Sequence, residues 1–206
     1  MDLTQPIRSV VPGVRGEVLA VLARTDRPLT GRGVAELTNG RASAKGVNLA
    51  LRSLTDAGIV LVEDHPPAKL YRLNRDHLAA GAIGELASLR TRLIDLMREQ
   101  LAGWDPSPAQ AWLFGSAARG DGDEDSDIDV LVVARDAADL DDPAWIDQVE
   151  AFGAVVRASS GNACSVIEYT TSELDQLADD GGRLARDLRH EAIPLAGRSA
   201  RRLEQP

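Results

Sequence analysis

Residues 113–133 read LFGSAARGDGDEDSDIDVLVV, and they place a dense block of negative charge between two apolar segments. Six of the nine residues from Asp121 to Asp129 are acidic, while AWLFGS before them and DIDVLVVA after them have the composition of buried strands. Asp127 and Asp129 are two residues apart, so the period of a strand places both side chains on one face. Neighbouring carboxylates repel each other unless a cation lies between them. The spacing therefore predicts a divalent metal site with oxygen ligands.

Gly115 and Ser116 come at the end of the first strand, where a short helix is expected to begin. A small Gly-Ser turn at a helix N-terminus exposes backbone N–H groups to an anion, and Ser116 adds a hydroxyl. Magnesium keeps coordination positions open for phosphate oxygens. An anion cradle beside paired carboxylates therefore predicts a nucleoside triphosphate site and metal-dependent phosphoryl or nucleotidyl transfer.

The same stretch resembles the DNA polymerase β-like nucleotidyltransferases. GS, ten residues and DID reproduce the GS-x10-DxD signature, and ARG, SDID and the apolar strand after them look like the minimal nucleotidyltransferases of bacteria and archaea. Several of those are antitoxins beside HEPN toxins, and others modify tRNA or small molecules. The resemblance covers about residues 84–197. It implies that Asp127 and Asp129 hold two magnesium ions, that Gly115 and Ser116 hold the β- and γ-phosphates, and that pyrophosphate leaves by in-line displacement.

The resemblance also implies a third carboxylate on a later strand, between apolar neighbours. VIEYT supplies Glu168 in that setting, as a metal ligand and as general base for the acceptor hydroxyl. The alternative is a surface glutamate at the edge of a sheet. Arg119 is implied to contact the triphosphate, with an ordinary helix-surface charge as its alternative. The remaining acidic residues are expected to form a solvated loop: Asp121, Asp123, Glu124 and Asp125.

The first 75 residues predict a different module. The order helix, helix, turn, helix and two-stranded hairpin is that of a winged helix-turn-helix, and SLTDAGIVLVEDHPPAKLYRLN resembles the recognition helix and wing of MarR-like regulators. Such a helix enters the DNA major groove. The alternatives are a solvated face or a protein-contact surface. The candidate DNA-binding residues lie along the third helix and the wing: Arg41, Ser43, Lys45, Asn48, Arg52 and Lys69.

The fold class predicted is α+β or α/β, in three parts. Residues 1–75 form the winged helix-turn-helix, residues 76–103 one long linking helix that is also a candidate homodimer surface, and residues 104–206 a nucleotidyltransferase fold with a small mixed sheet. Charge follows this division. Residues 1–80 carry 11 Lys/Arg against 8 Asp/Glu, and residues 81–206 carry 12 against 24. This asymmetry favours two modules with different partners.

The composition of the chain also bears on its expected cellular location. The sequence has no run of about 18 apolar residues, and a membrane-spanning helix is therefore not expected. The start, MDLTQPIRSV, lacks the apolar core of a signal peptide, and a cytoplasmic location is expected. Cys164 is the single cysteine and is expected to pack in the interior rather than react.

Two functions follow from these features. The first is a magnesium-dependent nucleotidyltransferase that moves NMP from an NTP to a hydroxyl, combined with DNA binding in an autoregulated antitoxin. The second is a DNA-binding regulator whose nucleotidyltransferase fold senses nucleotide or binds a partner without catalysis. A protein tyrosine, a tRNA 3′ end and a small alcohol remain open as acceptors, and a toxin protein or a tRNA is the expected partner.

Overall fold

The computed structural model describes residues 1–135 and 140–197, and the chain divides into two compact units. The N-terminal unit contains Asp2 and Thr4–Arg90, and the C-terminal unit contains Met1, Leu3 and the chain from Thr91 onward. Within the described ranges, no helix has both the length and the apolar character needed to cross a membrane.

The N-terminal unit is built from helices and a small antiparallel sheet with strand order β1-β3-β2. A 3-10 helix over Pro6–Ser9 precedes α1 (Val14–Ala23), α2 (Gly31–Leu37) and α3 (Ala44–Asp56), and the strands are β1 (Leu29–Thr30), β2 (Val60–His65) and β3 (Ala68–Leu73).

Two hydroxyl side chains determine where α2 and α3 begin. Thr30 accepts a hydrogen bond from the Gly33 N–H (3.0 Å), and Ser43 accepts one from the Gly46 N–H (3.1 Å), as the sequence predicts for Ser43. Inward residues of all three helices pack in one core, among them Val18, Leu22, Val34, Val47 and Leu51. These are the elements on which the winged helix-turn-helix assignment rests, and that assignment stays a prediction.

The prediction of one long helix over 76–103 is wrong. The structure has α4 (Ala80–Ala87) and α5 (Leu89–Ala102), separated at Ser88, which leaves the helical conformation with φ −99° and ψ 1°. The Ser88 hydroxyl donates to the Glu85 carbonyl (2.9 Å) and so competes with the helical backbone. The two helices also serve different cores, because α4 packs in the N-terminal core and α5 in the C-terminal core. The division between the two units falls after Arg90, inside the segment 76–103 that the sequence predicted to link the two modules.

The C-terminal unit is a mixed four-stranded sheet with strand order β6-β5-β4-β7. Strand β5 is antiparallel to β4 and parallel to β6, and β4 is antiparallel to β7. The strands are β4 (Gln110–Phe114), β5 (Ile128–Ala134), β6 (Cys164–Thr170) and β7 (Ile193–Ala196). The helices are α6 (Gly115–Arg119), α7 (Pro143–Ser160), α8 (Thr171–Asp180) and α9 (Arg183–Glu191).

The sheet has two buried faces, because β5 alternates between two cores. Ile128, Val130 and Val132 pack with α5 and α7, on what we call the first face. Leu131 and Val133 pack with α8 and α9, on the second face. The alternation of a strand places Asp129 with Leu131 and Val133, and therefore on the second face.

Candidate functional site

The turn between β4 and α6 touches the Asp129 carboxylate. Phe114 pairs directly with Asp129 across the two strands, and Gly115 follows with φ +69°. A Cβ atom added at Gly115 would lie 2.6 Å from the Asp129 Oδ2. Only glycine therefore fits, because both its left-handed backbone and the carboxylate against it exclude a side chain.

The carboxylate pair is electrostatically strained without a cation. Burial raises the pKa of Asp129, the neighbouring charge of Asp127 raises it further, and Arg119 acts in the opposite direction. Asp127 is exposed and immediately precedes β5. Two carboxylates completed by phosphate oxygens are a donor set that magnesium accepts. Asp127 and Asp129 therefore fit a magnesium ion that arrives with a triphosphate.

A third protein ligand is not gathered at this pair. Within residues 1–135 and 140–197, no group of three His, Cys, Asp or Glu side chains is placed to hold a metal ion. The two magnesium ions implied by the resemblance thus have two described carboxylates to share. Phosphate oxygens and water would have to complete their coordination.

Glu168 lies on the other face of the sheet, and its expected place beside the aspartates is not found. The parallel register pairs Glu168 with Val132, a residue of the first face, whereas Asp129 pairs with Ser165. The Glu168 Oε2 accepts a hydrogen bond from the indole Nε1 of buried Trp145 (2.6 Å). Glu168 is itself exposed on an edge strand. The surface alternative is the one that the geometry supports, with Glu168 satisfying the Trp145 donor.

The loop after Ser116 folds back toward this residue. Its carbonyl accepts hydrogen bonds from the N–H groups of Gly120 (2.9 Å) and Asp121 (3.1 Å), which turns the chain back. An added Cβ at Gly122 would lie 3.0 Å from the Ser116 Oγ. In the part of the chain that the structure describes, this hydroxyl has no hydrogen-bond partner. Helix α6 has only five residues, so its dipole is weak. The prediction of anion binding therefore rests on the backbone of the turn and on the Ser116 hydroxyl.

Arg119 is held by two carboxylates. Its Nε donates to the Asp121 Oδ2 (3.0 Å) and its Nη1 to the Glu191 Oε2 (2.8 Å). These hydrogen bonds raise the pKa of the guanidinium. The sequence gives no signal for Glu191, since it comes from α9, 72 residues away. Arg119 is oriented and close enough to affect Asp129, so it is more than an isolated surface charge.

The thiol of Cys164 behaves as an interior group. Burial, and then the charges of Asp129 and Asp127, raise its pKa to about 12. A thiol with this pKa is protonated at neutral pH and is a poor nucleophile.

In the N-terminal unit, most of the predicted DNA-binding residues border one groove. This groove of about 700 Å³ lies between α3 and the β2–β3 hairpin, and it includes exposed Leu49, which the sequence analysis did not single out. Lys69 also forms an exposed ion pair with Asp64 (3.4 Å). Ser43 caps α3 instead of lining the groove. The predicted residues that do line the groove are Lys45, Asn48, Arg52 and Lys69.

Arg41 has a structural partner that its position in the sequence does not indicate. Its Nε donates to the Oε2 of Glu17 (3.3 Å), a carboxylate whose side chain is 3% exposed. The other oxygen, Oε1, forms an ion pair with the Arg8 Nε at 3.4 Å. Arg41 thus neutralises a buried charge of α1, which makes it a structural residue rather than a free phosphate ligand.

Comparison with known proteins supports the C-terminal assignment. Residues 91–180 match the family model described as nucleotidyltransferase domain. No curated protein and no solved structure matches the chain. The matched range contains Gly115, Ser116, Asp127 and Asp129, so the C-terminal unit is similar to a nucleotidyltransferase domain over the residues that carry the candidate site.

Replacing Gly115 by alanine is expected to weaken magnesium-dependent NTP binding at least about tenfold, because the new Cβ displaces the Asp129 carboxylate. Isothermal titration calorimetry measures the effect. Gly153→Ala is the matched control, since Gly153 lies inside α7 with no atom within 4 Å of the added Cβ. Equal affinities in both variants would contradict the close approach at Gly115.

Proposed function

We propose that the C-terminal unit is a magnesium-dependent nucleotidyltransferase that moves NMP from an NTP to a hydroxyl acceptor. The observation that carries this proposal is the Asp129 carboxylate held against the Gly115 turn, beside the Ser116 hydroxyl. The match of residues 91–180 to the nucleotidyltransferase domain supports NMP transfer in general.

Each residue of the site has a role in this reaction. Ser116 and the backbone of the Gly115 turn bind the triphosphate, and Arg119 faces its negative charge. Asp127 and Asp129 would hold the metal, which when bound supplies charge neutralisation at the attacking and leaving oxygens. The acceptor oxygen bonds to the α-phosphorus as the bond to pyrophosphate breaks. Solvent takes the hydroxyl proton, since Glu168 lies on the other face of the sheet.

The direct test is calorimetric titration of ATP, GTP, CTP and UTP with magnesium. The wild-type chain is expected to bind at least one of them, and the Asp127→Ala/Asp129→Ala variant is expected to lose that binding. The preferred nucleotide then serves, labelled at the α-phosphate, in a search for acceptors among the protein and RNA of a cell extract. Binding that persists in the double variant, or no binding by wild type, would refute the assignment of the site.

A second function is favoured by the position of Glu168. With two gathered carboxylates rather than three, the domain can bind a nucleotide as a sensor without transferring it. If the domain is a sensor, wild type should bind NTP in the presence of magnesium, but neither the protein nor the RNA of the cell extract should become labelled. A labelled tRNA, or a labelled toxin protein, supports the transferase instead.

We also propose that the N-terminal unit binds duplex DNA through the groove between α3 and the hairpin. Support comes from three cations around the groove, Lys45, Arg52 and Lys69, and from the exposed polar face of α3. In an autoregulated antitoxin this unit would bind the operator while the C-terminal unit modifies or masks a toxin. A homodimer would double the number of phosphate contacts.

Replacing Lys45 and Arg52 together by alanine is expected to weaken binding to a random-sequence duplex. The slope of log affinity against log salt should fall in magnitude by about 2, because two phosphate contacts are lost. Fluorescence anisotropy over a salt series measures both quantities. Arg27→Ala, an exposed arginine outside the groove lining, is the control. An unchanged slope in the double variant would exclude the groove as the phosphate-binding surface.

A further inference from the structure

A single buried asparagine holds the loop that carries the acidic block. Asn162 is 2% exposed and lies between Gly161, which ends α7 in a left-handed conformation, and the start of β6. Its side-chain Nδ2 approaches three loop carbonyls: those of Ser126 at 2.9 Å, Asp123 at 3.3 Å and Glu124 at 3.3 Å. An amide has two N–H donors, so at least one of these hydrogen bonds is shared.

Two further hydrogen bonds fix the asparagine itself. Its Oδ1 accepts a hydrogen bond from the Met1 nitrogen (2.8 Å), and its backbone N–H donates to the Ser160 Oγ (3.1 Å). Ser160 in turn donates to the Val156 carbonyl of α7 (2.8 Å). Every polar atom of the Asn162 side chain is therefore paired, and the residue is anchored to the helix packed on the first face.

The loop needs such an anchor because its own charge opposes a compact conformation. Asp123 accepts hydrogen bonds from the Ser126 hydroxyl (2.7 Å) and the Asp125 N–H (3.1 Å), and these contacts lower the pKa of its carboxyl. Asp123 is thus held as a charged carboxylate within a run of acidic residues, and like charges that lie close together repel each other. A neutral amide donor compensates the loop carbonyls without adding another charge.

The anchor lies immediately before the metal-binding pair. Ser126, whose carbonyl makes the shortest contact, directly precedes Asp127. The Ile128 N–H donates to the Ala163 carbonyl (2.8 Å), so the residue after Asp127 is tied to the same turn. Asp127 is therefore held between two contacts that both come from residues 162–163.

We propose that Asn162 is a positioning residue of the magnesium and NTP site: its amide holds the carbonyls of Asp123, Glu124 and Ser126 so that Asp127 stays beside Asp129 at the Gly115 turn. This inference rests on the proposed function of the aspartate pair. It assigns a role to a residue that lies outside the signature motif and that belongs to neither the nucleotide nor the metal contacts.

The test compares wild type, Asn162→Ser and Asn162→Ala in two measurements. In the first, the magnesium concentration that gives half-maximal NTP binding is expected to rise at least about tenfold in Asn162→Ala, with Asn162→Ser in between. Saturating magnesium should restore binding, because the ion pulls the loosened aspartate back. A general folding defect would not be reversed in this way.

The second measurement is amide hydrogen exchange of the metal-free chains. Exchange across residues 121–127 is expected to accelerate in the order wild type, Ser, Ala. Asn74→Ala is the matched control, since the Asn74 side chain holds the Gly58 carbonyl (2.8 Å) in the N-terminal unit. That variant should change neither measurement.

The outcomes separate the inference from the function on which it rests. The role of Asn162 would be overturned if Asn162→Ala needed no more magnesium for NTP binding than wild type and if its residues 121–127 exchanged no faster. If wild type binds no NTP at all, the proposed function fails, and the exchange data alone decide whether Asn162 holds the loop. Faster exchange with an unchanged magnesium requirement would also overturn the proposal, because the loop would then be irrelevant to the pair.

Discussion

Asp129→Asn is expected to weaken magnesium-dependent NTP binding more than about 100-fold, whereas Glu168→Gln is expected to leave it unchanged. Residues that support a metal ligand from outside already contribute about 10–100-fold to affinity, so loss of a ligand carboxylate should exceed that range. Asn keeps the size of Asp but lacks the charge that offsets the cation. Calorimetry with magnesium and the preferred nucleotide measures the difference, and labelled transfer should follow it.

Glu168→Gln is a sharp comparison because the glutamine oxygen can still accept the hydrogen bond from Trp145. The variant therefore removes one negative charge and preserves the local packing. If Glu168 served as metal ligand or general base, transfer would collapse in this variant as it does in Asp129→Asn. That result would contradict the parallel register of β5 and β6, in which Glu168 pairs with Val132.

Arg41→Ala is expected to lower the free energy of unfolding of the N-terminal unit by about 3 kcal/mol, because among the described residues it leaves the buried Glu17 carboxylate with Arg8 as its ion-pair partner. Urea unfolding followed by far-UV circular dichroism measures this change. Tryptophan fluorescence should not shift, since all three tryptophans lie in the C-terminal unit.

A second substitution identifies the cause of that loss. Adding Glu17→Gln to Arg41→Ala removes the buried charge that Arg8 alone compensates only in part, so the double variant should recover most of the lost stability. Arg52→Ala, on the exposed face of α3, should change stability by less than about 0.5 kcal/mol. Undiminished stability in Arg41→Ala, together with weaker DNA binding, would return Arg41 to the phosphate-contact role that the sequence suggested.

Local rules read from the sequence account for much of the fold. The two-residue spacing of Asp127 and Asp129 fixes their common face, because strand geometry alone determines it. Ser43 caps α3 because a hydroxyl at that position satisfies an N–H of the first turn. The Gly115-Ser116 turn ends β4 for a similar reason, since glycine accepts the left-handed backbone that the turn requires.

The positions of several side chains depend on contacts between residues that are far apart in the chain. Glu168 has apolar residues on both sides, so either face of β6 suits its sequence, and only the register with β5 assigns it to the face away from the aspartates. The partners of Arg41 and Asn162 lie 24 and 36 to 39 residues away in the chain. Local periodicity carries no information about such distances. The Gly-Ser turn and the aspartate pair can therefore be found from the sequence alone. Which distant carboxylate or amide lies beside them depends on how remote segments of the chain pack, and only the tertiary structure shows this.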